Sequence, residues 1–227
     1  MTTLEFELVV LDMAGTTVTD DGLVLRAFEE AATAVGVPKS GAEREAARTY
    51  VRDTMGQSKI EVFRHLLGAE DRAQQANATF EQVYTDSIDG GIAPVPGATE
   101  AIAHMREAGV KVALSTGFSS GTQQRIIEAL GWADIADLVL APGDGGRGRP
   151  YPDLILNALL RTGIDDVAKI AVLGDTSSDI RSGLRAGASI VAGTLTGAHD
   201  ADTLTAAGAT HVVTSVADFP ELFLPQS

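Results

Sequence analysis

LEFELVVLDMAGTT, residues 4–17, decides how this chain is built. Residues 4–11 are a β-type apolar run that ends at Asp12, and Gly15-Thr16-Thr17 then make a turn. Similar buried-strand patterns recur at 110–114 (VKVAL), 138–140 (LVL), 170–173 (IAVL), 189–191 (SIV) and 211–213 (HVV). Helical periodicity fills the intervals, at 98–107, 123–130, 152–161, 178–186 and 216–222. Strands alternating with helices of this length predict βαβ units and an α/β fold with a parallel sheet.

Between Asp20 and Gly91 that rhythm stops. Residues 23–35, 43–52, 60–67 and 72–88 all read as helices, and Pro94, Pro96 and Gly97 mark the return to alternation. The pattern predicts a helical cap, residues 20–92, inserted after the first strand of a core formed by 1–19 and 93–227. Open parallel sheets bind ligands outside the carboxyl ends of their strands, so a cap emerging there would cover the site.

Composition narrows the partners. The 227 residues include 17 Lys and Arg against 31 Asp and Glu, a net charge of −14. That field repels nucleic-acid phosphates and anionic membranes, so neither is expected as a partner. A small anionic substrate then needs a local cationic pocket or a metal. With no cysteine, disulfides, thiolate zinc sites, iron–sulfur clusters and a cysteine nucleophile are excluded. The opening MTTLEFELVV lacks a signal peptide's basic start, and no apolar run approaches the about 18 residues that span a bilayer. A soluble, cytoplasmic protein is expected. His65, His104, His199 and His211 form no metal-ligand pattern.

Four features stand at the ends of predicted strands: Asp12 in DMAGTT, Ser115-Thr116-Gly117 in ALSTG, Arg149 in GRGRPYP, and Asp175 with Asp179 in LGDTSSD. Singly, each has a structural use, as a turn, an N-cap or a solvated arginine. Together they make a chemical set. Asp12, Asp175 and Asp179 supply hard oxygen ligands suited to Mg²⁺, and three converging carboxylates call for a cation. A threonine hydroxyl, turn N–H groups and a guanidinium are donors for phosphoryl oxygens, beside which a carboxylate can act as nucleophile.

The order of these features, from Leu8 to about Val191, resembles the haloacid dehalogenase superfamily. The resemblance implies a three-layer, Rossmann-like core with a helical cap. It makes Asp12 the nucleophile, places Thr116 and Arg149 around phosphate and nucleophile, and assigns Mg²⁺ to Asp12, the Ala14 carbonyl, Asp175 and a supporting Asp179. Typical members carry a general-acid Asp two residues after the nucleophile, where this chain has Ala14. An Ala there, with STG, GRPYP and GDTSSD, resembles the phosphonoacetaldehyde hydrolase (phosphonatase) branch.

That branch carries a cap lysine within MGxxKxDH, and this chain reads MGQSKIEVF, placing Lys59 at the matching position. The resemblance implies a Schiff base between Lys59 and an aldehyde phosphonate, so that carbon departs as an enamine needing no proton from position 14. A lysine must shed its proton to attack, which burial or a nearby cation promotes. Ala14, Gly15, Thr16, Met55, Gly56 and Gly117 complete the expected substrate-binding set; Met55 also suits core packing and Gly56 a turn. The branch's His three residues after the lysine is Val62 here, its Asp is Glu61, and residues 195–210 are shorter than in typical phosphonatases. The expected substrate is phosphonoacetaldehyde or a related phosphonate, with a phosphatase of small phosphomonoesters and a non-catalytic phosphate-binding module as alternatives. The relatives also imply a cap-mediated homodimer, which nothing in these helices demands.

Overall fold

In the computed structural model, residues 6–19, 21–144 and 146–224 are described. Leu4 and Glu5 of the first predicted strand, Asp20 at the predicted cap boundary, and the ends of the predicted core at 1–3 and 225–227 lie outside them. β1 (Leu8–Asp12) is buried along its whole length, as a strand covered on both faces must be. β2 (Val18–Thr19) follows, then four helices: α1 (Leu23–Ala34), α2 (Ala42–Asp53), α3 (Lys59–Leu67) and α4 (Glu70–Asp86). β3 (Ala93–Pro94) returns antiparallel to β2, so the helical insertion leaves and re-enters through one short ribbon. Strand and helix then alternate through α5 (Ala98–Glu107), β4 (Lys111–Ser115), α6 (Ser120–Ala129), β5 (Leu138–Leu140) and α7 (Asp153–Thr162). The chain continues through β6 (Ile170–Gly174), α8 (Ser177–Ala186), β7 (Ile190–Thr194), α9 (Ala201–Ala206) and β8 (His211–Val213).

The six longer strands form one parallel sheet in the order β5-β4-β1-β6-β7-β8. β1 is central, and the chain crosses from one side of it to the other between β5 and β6. The carboxyl ends at this switch point form the crevice in which open α/β sheets bind ligands. Register aligns them: Asp12 pairs with Ser115, Ser115 with Leu140, and Leu11 with Leu173. Alternate β1 residues face opposite layers. Val9 and Leu11 pack with Ile102 and Met105 of α5 and Ile126 of α6, while Leu8 and Val10 pack with Leu154, Ile155 and Ala158 of α7. This is the expected three-layer α/β core.

Within the insertion, α4 packs along α1 and α3. Phe28 and Phe63 pack on each other and on Phe80, and Phe80 and Tyr84 meet Phe118 from the sheet side, with ring centroids 4.5–6.3 Å apart across the chain of contacts. One apolar cluster therefore joins the insertion to the core.

Several boundaries differ from the sequence expectation, each for a local reason. Ser119 caps α6 through a bond from Thr122 N–H, starting that helix earlier than residue 123. Residues 216–222 form a 3₁₀ segment rather than an α-helix, with Pro220 inside it unable to donate a backbone bond. The β2–β3 ribbon and six-residue α9 are too short for periodicity to reveal. Among the described residues no helix is long and apolar enough to cross a membrane.

Phe80 is fully buried and bridges both sides of the aromatic cluster. Phe80→Ala is expected to lower unfolding free energy by about 3–5 kcal/mol, read by denaturant titration.

Candidate active site

The aligned strand ends bring together residues far apart in the chain. Asp12 ends β1, Thr116 follows β4, Arg149 lies on the loop after β5, and Asp175 follows β6. Arg149 Nη1 donates to Asp12 Oδ1 at 2.6 Å and also to Asp179 Oδ1. Asp179 Oδ2 closes a capping box at the start of α8, accepting from Thr176 N–H at 3.1 Å. Both Asp179 oxygens are thus engaged, and its placement orients Arg149 as much as it adds charge. Asp175 Oδ2 accepts from Ala198 N–H at 2.7 Å, and Thr16 Oγ1 lies 3.4 Å from Asp175 Oδ1.

Charge is out of balance here. Asp12, Asp175 and Asp179 offer oxygens within 4.8 Å of one another, all buried, and among the described residues the Arg149 guanidinium pairs with two of them. Burial raises Asp12 from its ordinary 3.8 to about 6, Arg149 opposing and Asp179 reinforcing. Burial, together with the charges of Asp12 and Asp179, raises Asp175 well above its ordinary 3.8. For Arg149, burial pulls downward, but the two carboxylates outweigh it and its pKa is raised. Three hard oxygen ligands with uncompensated charge fit a divalent cation. Gly15 and Gly197 make room for this cluster, because a Cβ at either would lie 2.5 or 2.0 Å from Asp175 Oδ2.

Lys59 approaches from the opposite side. It is the first residue of α3 and only 6% exposed, with Nζ 4.9 Å from the Phe118 ring centroid, 5.8 Å from Phe28 and 5.9 Å from Phe80. A cavity of about 360 Å³ is lined by Asp12, Lys59, Thr116, Arg149 and Asp175 together. Ala14, Gly15, Met55, Gly56 and Gly117 also line it, whereas Thr16 reaches the site through Asp175. Met55 serves packing as well, lying against the main apolar cluster.

The two glycines seat the insertion on the core. Gly56 has φ +83°, and a Cβ there would meet Thr176 Oγ1 at 2.4 Å; one at Gly117 would meet the Gln57 carbonyl at 2.5 Å. Gly56 is therefore both turn and close approach. Val62 is buried in the apolar cluster, and Glu61 is exposed and paired with Arg64. His65 stacks on Tyr50 with centroids 4.3 Å apart. Sequence reading missed the Phe28, Phe80 and Phe118 cage, whose members lie on three separate elements with no shared local signal. It also missed Thr196, Gly197 and Ala198, which line the cavity from the loop after β7.

The family model of haloacid dehalogenase-like hydrolases matches residues 6–187. The chain belongs to the haloacid dehalogenase-like hydrolases. It resembles their phosphonatase-like branch: a phosphonoacetaldehyde hydrolase of Syntrophobacter fumaroxidans is 32% identical over 200 residues, covering 79% of this chain and 69% of that protein. The fold matches a phosphonoacetaldehyde hydrolase-like protein from Oleispira antarctica with a TM-score of 0.82 at 24% identity, covering 96% of this chain and 91% of that one. It also matches a predicted phosphoglycolate phosphatase from Haemophilus somnus, with a TM-score of 0.81 at 17% identity, covering 98% and 100%. Both structural likenesses speak to fold alone.

Between pH 3.8 and about 6 the folded hydrolase keeps a proton on Asp12 that the unfolded chain has lost, so stability falls as pH rises through this window. The loss is on the order of 3 kcal/mol. In EDTA, melting temperature is expected to drop from pH 5 to pH 7.5 more steeply in wild type than in Asp12→Asn. Adding Mg²⁺ at pH 7.5 should recover the difference.

Gly117→Ala pushes against the backbone that leads to Lys59 and should lower turnover at least tenfold, on the order of a 1 Å misplacement. An unchanged circular dichroism spectrum would separate this from unfolding.

Proposed function

We propose that this hydrolase cleaves the C–P bond of phosphonoacetaldehyde or a related aldehyde phosphonate. The observation that carries the reading is a single cavity lined by both Asp12 and buried Lys59, with Ala14 on its wall. An ester leaving group departs as an alkoxide and needs a proton, which Ala14 cannot give. An enamine leaving group needs none.

The Lys59 amine adds to the aldehyde carbon, and loss of water leaves a protonated imine. Asp12 then attacks phosphorus while the C–P bond breaks, and its electron pair moves into the imine to form an enamine. Protonation and hydrolysis of the enamine release acetaldehyde and return Lys59. Water hydrolyses the aspartyl phosphate and frees Asp12. The sum is phosphonoacetaldehyde plus water giving acetaldehyde plus phosphate.

The residues have complementary tasks. Arg149 orients Asp12 through its 2.6 Å bond and places positive charge beside the incoming phosphoryl oxygens. Thr116 and the Gly117 turn lie across the cavity as further donors. Phe28, Phe80 and Phe118 keep water from the imine until the C–P bond breaks. Asp12, Asp175 and the Ala14 carbonyl would hold Mg²⁺, with Asp179 in support, and the ion would offset charge on the phosphoryl group.

A second reading, a phosphatase of small phosphomonoesters, is favoured by Val62, because no imidazole stands three residues from Lys59 to take its proton.

With phosphonoacetaldehyde and Mg²⁺, equal release of phosphate and acetaldehyde is expected, and borohydride should trap substrate on Lys59. Lys59→Arg should lower C–P cleavage by at least 10³-fold, and Asp12→Asn should abolish phosphate release. Hydrolysis of phosphate esters that survives Lys59→Arg, without C–P cleavage by wild type, would overturn the proposal in favour of the phosphatase.

A further inference from the structure

The four residues Thr196-Gly197-Ala198-His199 tie together parts of the site that belong to different elements. Thr196 Oγ1 donates to the Gly15 carbonyl at 2.7 Å, on the turn after the nucleophile. Gly197 passes so close to Asp175 that a side chain would collide with it. Ala198 N–H donates to Asp175 Oδ2 at 2.7 Å, and His199 N–H to the Asp175 carbonyl at 3.2 Å. Half-buried His199 then reaches beyond the core.

Its two ring nitrogens have opposite roles. Nδ1 accepts from Ser177 N–H at 2.9 Å, at the start of α8. An N–H donor at Nδ1 assigns the neutral ring's proton to Nε2, which donates to the Arg52 carbonyl at 3.2 Å. Arg52 lies in the last turn of α2, and its carbonyl also accepts from the N–H of Thr54, the residue that ends the helix. The same carbonyl accepts Met55 N–H at 3.2 Å, and the chain runs on through Gly56 to Lys59. One imidazole therefore spans from the helix that follows Asp175 to the turn that delivers Lys59.

We propose that His199 is a positioning residue that couples seating of the Lys59 turn to the Asp175 loop. This rests on Lys59 and Asp12 acting on one substrate. His199 does not touch the reacting atoms; it acts through the Arg52 carbonyl by limiting how far residues 52–59 lift from the core. Asparagine can accept from Ser177 N–H as Nδ1 does, but is too short to reach Arg52, whereas glutamine keeps a donor at the reach of Nε2.

Hydrogen exchange of residues 52–59, with kcat and KM on phosphonoacetaldehyde, tests this in wild type, His199→Asn and His199→Gln. Asparagine is expected to speed exchange over 52–59 at least fivefold and lower kcat five- to tenfold, with KM within twofold. Mg²⁺ affinity, read by calorimetry, and melting temperature should stay as in wild type. Glutamine should restore most of both. Unchanged exchange in His199→Asn, or faster exchange with wild-type kcat, overturns the coupling. If wild type cleaves no phosphonoacetaldehyde, the C–P reading fails separately. The same comparison is then made on a phosphate ester, where faster exchange with unchanged kcat again counts against His199.

Discussion

One guanidinium nitrogen, Arg149 Nη1, is shared between Asp12 and Asp179, and the arrangement of the site depends on it. All three side chains are buried. Removing one partner from a buried ionic group leaves the others uncompensated, at a cost of about 3–5 kcal/mol. The bond joins the end of β1, the loop after β5 and the first turn of α8. Among the described residues Asp175 forms no ion pair, and it feels the charge of Arg149 only at longer range. The site is thus held together by a buried ion cluster whose Asp12 and Asp175 pKa values are raised chiefly by burial, and the same carboxylates could hold a divalent cation.

A second constraint is how closely the helical insertion can approach the sheet. At Gly56 and Gly117 backbone meets core with no room for a Cβ. That contact brings Lys59, at the start of α3, to the cavity that Asp12 also lines. The aromatic cluster acts in the same direction, since Phe118 from the core and Phe28 and Phe80 from the insertion all surround Nζ. The same rings fill the joint between the two parts and lie against the Lys59 amine.

The family relationship constrains the chemistry only to hydrolysis on this scaffold, and the substrate turns on a few positions. In the proposed reaction Ala14 withholds a general acid and Lys59 supplies an amine, while Val62 sets an apolar side chain where the branch has its His and exposed Glu61 pairs with Arg64. A loop after β7 contributes the remaining wall and links Asp175 to the end of α2.

The alternation of strands and helices, the helical interruption after the first strand, the positions of Asp12, Thr116 and Asp175 at strand ends and that of Arg149 ahead of a helix were all readable in the sequence. These were legible because buried strands and amphipathic helices impose periodicities of two and 3.6 on neighbouring residues. Lys59 was legible only as part of a motif, since a lysine on a helix face is locally unremarkable. The tertiary structure alone decided the strand order, the Phe28, Phe80 and Phe118 cage, the sharing of Arg149 and the reach of His199 to Arg52. Each joins residues tens of positions or more apart, so contacts made only when the sheet closes and the insertion seats leave no periodic trace along the chain.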